Sequence, residues 1–260
     1  MKAALLVLAL LVAGCGTPTD STDSTSTTDT TTTDQPLPPP PCCPEAKVRE
    51  LQLACTAFYG AFQADGERVA ARLPPGYTAG TGPAIRTQVV LFSCESITLD
   101  NTTVLRDVHL MTVPVPVGPP NAVDGEFADV YSLETATDNP ALAAVLNSWG
   151  FASVNATFAW DESSPLAALS LESDAFAYDL QLAGEGSTGN DPFQSEVRYQ
   201  SGTGTWFDAL HTVSQNPIGA VAGVLDGEGL VPTLAIAPPP VPLDTAKSVV
   251  QETWTFGPQT

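Results

Sequence analysis

Positive charge is scarce in this chain: Lys and Arg together number 9 against 29 Asp and Glu, for a formal net charge of -20. Only Asp20, Asp23, Asp29 and Asp34 fall in the low-complexity stretch near the start, so the rest of the chain carries the excess. A field of that sign repels phosphate backbones, and no basic run interleaved with aromatics offsets it; nucleic acid is excluded as a partner. Histidine is limited to His109 and His211, which rules out a histidine-rich metal centre, and no metal is expected. No G-x-S-x-G elbow is present to supply a hydrolase nucleophile, and no C-x-x-C pair to hold zinc. Gly184 to Gly189 satisfies G-x-G-x-x-G, but Asn190-Asp191-Pro192-Phe193 reads as a turn where a dinucleotide loop needs a helix, so no cofactor is expected. Asp124-Gly125-Glu126 and Asp226-Gly227-Glu228 lack the ligand spacing of a calcium loop and read as turn chemistry.

Long apolar runs are confined to one place. Met1-Lys2 precedes the apolar run Ala3 to Ala13, then Gly14-Cys15, the layout of a secretory signal too short to span a bilayer. Val12-Ala13-Gly14 before Cys15 resembles a lipobox, which makes residues 1–14 a signal peptide and Cys15 the acylated first residue of the mature chain. The lipid would hold the chain to a membrane, each buried methylene contributing about 0.8 kcal/mol. Gly16 and Thr17 after the cysteine resemble Gram-negative sorting signals for the outer membrane, so the expected location is exported, lipid-anchored at the outer membrane or cell surface. Residues 15–41 continue as Thr, Ser and Asp, then the proline-rich Pro36 to Pro41, a tether with no apolar surface to offset its ordering entropy.

Residues 42–260 have the length and apolar content of one folded domain. Four cysteines remain there, Cys42, Cys43, Cys55 and Cys94, an even number for an oxidising compartment. Adjacent Cys42 and Cys43 are poorly placed to bond each other, so each is expected to reach one of Cys55 and Cys94, with buried free thiols as the alternative.

Alternation of period two recurs over Thr87 to Ile97, Leu105 to Val117, Ala128 to Thr137, Ala175 to Ala183, Ser195 to Tyr199, Trp206 to Val213 and Val249 to Phe256. The fold class is therefore mainly β with a few short helices. Asp65 to Leu73 reads as a helix opened by a capping Asp, and a second has Asn139 as cap, Pro140 at the first position and Gly150 as terminator.

Two stretches together resemble the acetoacetate decarboxylase-like family. One is Ala64 to Leu73 followed by Pro74-Pro75-Gly76-Tyr77; the other runs from Leu105-Arg106-Asp107-Val108-His109 through Asp129-Val130-Tyr131-Ser132-Leu133 and Asp138-Asn139-Pro140 to Trp149-Gly150-Phe151. The resemblance, over about Phe58 to Tyr199, implies a double β-barrel or cone around a central cavity. It also carries a departure. In the family the aromatic-Gly-aromatic step leads into Pro-Lys, whose lysine forms a Schiff base; here Ala152-Ser153 follow, and a serine cannot form an imine. Outside the signal peptide only Lys47 and Lys247 exist.

The expected function is a non-catalytic decarboxylase-like domain that binds a small molecule in its central cavity, with Arg106, Asp107, His109, Trp149, Phe151 and Ser153 as candidate lining. A different class, a structural or protein-interaction module of the envelope with an envelope protein as partner, is the alternative. A second alternative is a lysine-independent enzyme acting on a β-keto or enol substrate through Arg106, Asp107 and His109.

Overall fold

The computed structural model describes residues 48–80, 82–118, 128–161, 167–182, 193–200, 206–213 and 221–257, all within the compact unit Pro44–Thr260. Cys15, the tether, Cys42, Cys43, Lys47, Gly184 to Gly189 and Asp124 to Glu126 lie outside the described residues. The strands in chain order are β1 (Glu50–Asp65), β2 (Thr78–Ala79), β3 (Ala84–Leu99), β4 (Thr103–Gly118), β5 (Ala128–Thr137), β6 (Ser153–Asn155), β7 (Thr157–Asp161), β8 (Ala167–Glu172), β9 (Ala177–Leu182), β10 (Phe193–Gln200), β11 (Trp206–Val213), β12 (Val221–Glu228) and β13 (Val241–Gly257). Three short helices join them: α1 (Gly66–Ala70), α2 (Pro140–Ser148) and α3 (Leu230–Leu234). The molecule is thus mainly β with a few short helices, as the alternation implied.

Pairing runs β1-β3-β4-β5-β10-β11-β13, and β13 pairs back onto β1, so these seven strands form a ring. From β13 an arm leaves through β12, β9 and β8 and ends at β7, so the sheet as a whole is not closed. β6 pairs with β5 at Thr135 to Thr137, beyond the stretch of β5 that β10 occupies.

Two cores follow from this layout. Leu51, Leu53, Cys55 and Ala57 of β1 face one core with Phe92, Leu110, Trp149 and Trp254, while Phe58, Phe62 and Ala64 of the same strand face a second with Leu91, Met111, Tyr178 and Leu243. Long strands that serve one core on each face are buried on both sides in the middle, which accounts for the unbroken apolar run Val89-Val90-Leu91-Phe92.

Both expected helices form, and their caps explain why. Asp65 accepts hydrogen bonds from the Glu67 and Arg68 N–H groups, and Asn139 accepts from Ala141 and Leu142. Pro140 occupies the first helical positions of α2 and Gly150, at φ 90°, follows its end. The first helix is shorter than expected, because the chain turns after Ala70.

The cysteine expectation is corrected. Cys55 bonds Cys94, so neither pairs with Cys42 or Cys43. The two face each other directly across β1 and β3 with Cα atoms 3.9 Å apart, a proximity set by strand register.

Candidate functional site

Strand alternation decides what the ring encloses. On β4, Val108, Leu110, Thr112, Pro114 and Pro116 share one face, the first two packing into the core that holds Trp149. Thr112 pairs with Thr135 of β5, and Thr135 pairs with Ser153 of β6, which sets three hydroxyl residues side by side. A register shift between Thr112 and Pro114 brings Ser132 to the same place. Its Oγ lies 2.6 Å from Thr112 Oγ1 and 2.9 Å from Thr135 Oγ1. All four are buried, and Ser153 Oγ has no hydrogen-bond partner among the described residues, although Ser153 N–H donates to Asn147 Oδ1 at 2.8 Å.

This inner face is graded. At one end Trp149, fully buried, stacks on Phe256 at 5.2 Å and donates from Nε1 to the Val48 carbonyl, closing the ring beneath α2. Phe151 is buried in the same core. In the middle is the hydroxyl group of Thr112, Ser132, Thr135 and Ser153. At the other end a cleft of about 240 Å³ is lined by Ala61, Arg86, Gln88, Pro114, Pro116 and Val130.

The opposite face of β5 carries a different polar group. Glu134 accepts a hydrogen bond from the Tyr178 hydroxyl of β9 at 2.8 Å, and that hydroxyl accepts one from Val231 N–H at 3.2 Å. Burial pushes the Glu134 carboxyl up to about 7, against the opposing pull of the Tyr178 hydrogen bond and of Arg72. The Tyr178 hydroxyl is raised well above its ordinary range, by burial first and by Glu134 second. Gly229, at φ 144°, is required beside it, since a Cβ there would come 2.4 Å from the hydroxyl.

The candidate residues divide in consequence. Trp149, Phe151 and Ser153 belong to the buried end and middle of the ring. Arg106 and Asp107 do not: both are exposed, with Asp107 at φ 51° where the β3 to β4 pairing skips a residue, so they line no interior. That removes two of the three groups on which the lysine-independent enzyme rested. His109 is tied elsewhere, its Nδ1 2.6 Å from Asp138 Oδ2 and its N–H donating to Asp138 Oδ1 at 2.9 Å, with Phe158 stacked at 5.6 Å. Lys247, the single lysine among the described residues, lies 4.9 Å over the Phe58 ring, a member of the other core. Sequence reasoning missed Glu134, Tyr178 and Arg86, none of which belongs to a motif. Among the described residues no cluster of three metal-ligating side chains occurs, and no helix is long and apolar enough to cross a membrane.

No family model matches the chain, and no curated protein matches it in sequence. Solved structures match it in fold. An acetoacetate decarboxylase from Legionella pneumophila superposes with a TM-score of 0.53 at 13% identity, covering 85% of this chain and 91% of that one. An acetoacetate decarboxylase-like enzyme from Sphingomonas wittichii gives 0.50 at 12%, covering 86% and 98%. The enduracididine biosynthesis enzyme MppR gives 0.50 at 8%, covering 82% and 88%. The domain therefore has the acetoacetate decarboxylase-like fold, shared with enzymes, and identities this low carry the fold alone.

Proposed function

We propose that the chain is an exported, lipid-anchored protein whose decarboxylase-like domain binds a small molecule inside the seven-stranded ring and performs no imine chemistry there. The observation that carries this reading is Ser153: it occupies the place where the family resemblance puts the Schiff-base lysine, and its buried Oγ is an unused hydrogen-bonding group beside Thr112, Ser132 and Thr135. A buried hydroxyl without a partner costs about 1–3 kcal/mol, and a ligand oxygen or nitrogen would recover it. Lys247 sits over Phe58 in the other core and supplies no amine to this face. Cys15 would fix the protein to the outer membrane or cell surface, with the residues that follow as spacer.

Two measurements on the exported chain test this. Native mass spectrometry should detect a small molecule that dissociates on denaturation. Incubation with acetoacetate followed by borohydride should leave the protein mass unchanged. A covalent adduct would overturn the non-catalytic reading, and a protein that retains and takes up no small molecule would favour a structural or interaction module.

A further inference from the structure

The rim of the ring at Arg86 has its own chemistry. Arg86 pairs with Gln63 across β1, and Asp244 of β13 pairs with Ala61 on the same strand from its other side. The two charged side chains therefore reach toward each other over the small side chain of Ala61, with Arg86 Nη2 3.6 Å from Asp244 Oδ2. Two clefts meet at this point and share Arg86 and Ala61: the one of about 240 Å³ already described, and a groove of about 650 Å³ whose walls include Phe62, Ala222, Ile236, Ala237, Pro242 and Leu243. Among the described residues Arg86 is the only cation lining either of them. The walls are otherwise apolar apart from Gln63, Gln88, Thr87 and Asp244, and the Thr87 hydroxyl is already spent on the Pro114 carbonyl.

From this arrangement we propose that the ring's rim is a binding site for a small monocarboxylate with an apolar body, its carboxylate taking Arg86 from Asp244 and its body lying in the larger groove. The inference rests on the ring being a ligand-binding domain and names the ligand class and the point of entry. The displacement is cheap. Arg86 and Asp244 are 67% and 73% exposed and 3.6 Å apart, a pair that contributes little to stability, whereas a ligand carboxylate can meet the guanidinium with two parallel hydrogen bonds. The groove falls in the size range of small-molecule sites, which combine apolar walls with a few fixed polar groups. The chain's net negative charge does not forbid an anion here, because charges more than about 8 Å away are screened at physiological salt.

Decanoate and decanol, which share the apolar body and differ in the charge, test it by calorimetric titration of the mature chain carrying Cys15→Ser. Decanoate should bind at least about tenfold more tightly than decanol, Arg86→Gln should erase that difference, and Asp244→Asn should strengthen decanoate severalfold by removing the competitor. Both residues are exposed, so the melting temperatures of the two variants should match the parent. Equal binding of decanoate and decanol, or no gain from Asp244→Asn, overturns the carboxylate site. Failure of both probes while native mass spectrometry retains a neutral molecule overturns this inference alone; failure of both with nothing retained overturns the binding-domain reading with it.

Discussion

The two faces of β5 solve the same problem in different ways. Toward the ring, Ser132 shares short hydrogen bonds with both Thr112 and Thr135, each hydroxyl able to donate and accept, so the group is buried, polar and neutral at every ordinary pH. Toward the arm, Glu134 has Tyr178 as its hydrogen-bond donor and keeps its proton to about pH 7 because burial penalises its charge. The difference teaches that polarity buried as hydroxyls can serve recognition without a pH signature, whereas a buried carboxyl makes the contact between β5 and β9 respond to pH.

Removing the plug of the ring should break this contrast most severely. Trp149→Ala should cost about 3–5 kcal/mol in denaturant unfolding, because a fully buried indole leaves a cavity, while the pH dependence set by Glu134 should survive. Next in size is that pH dependence itself. The unfolded carboxyl ionises near 4.5 and the folded one near 7, so between these values the native state binds more protons and stability falls as pH rises. The loss should approach about 3 kcal/mol by pH 8, and Glu134→Gln should flatten the profile; stability that rises over this window would contradict the assignment. On the neutral face, Thr112→Val should cost about 1 kcal/mol with no change in pH profile, since it strands one hydrogen bond of Ser132. Ser153→Ala should be the one substitution that does not destabilise, raising stability by about 1 kcal/mol in a thermal melt without ligand, because it removes a buried hydroxyl left without a partner. It should nonetheless weaken whatever molecule the ring retains.

Where the alternation was unbroken it gave the strands directly: β5 and β11 run over the expected residues. β1 was not legible in this way, although it is among the longest, because its buried face changes between Ala57 and Phe58 and the period-two pattern breaks there. The disulfide was misread for the same reason, since the direct facing of Cys55 and Cys94 exists only once β1 is a strand beside β3. β12 escaped because Gly223 and Gly227 interrupt it. Trp149, Phe151 and Ser153 were singled out through the family resemblance, which marks the position after the aromatic-Gly-aromatic step, and all three are buried. Arg86 and Glu134 carry no such mark, and their surroundings come from strands distant in sequence.

The pairing of β1 with β13 has a kinetic consequence. Residue 50 lies opposite residue 255, so the ring closes only after nearly the whole described chain is available. Long-range antiparallel closure of this kind is slow, and until it happens both edges of the sheet and the apolar faces behind them are open to other chains. A nascent copy would depend on being kept apart from its neighbours while β13 arrives, and a truncation before Val241 should leave β1 without one of its two partners and the protein prone to aggregate rather than merely destabilised.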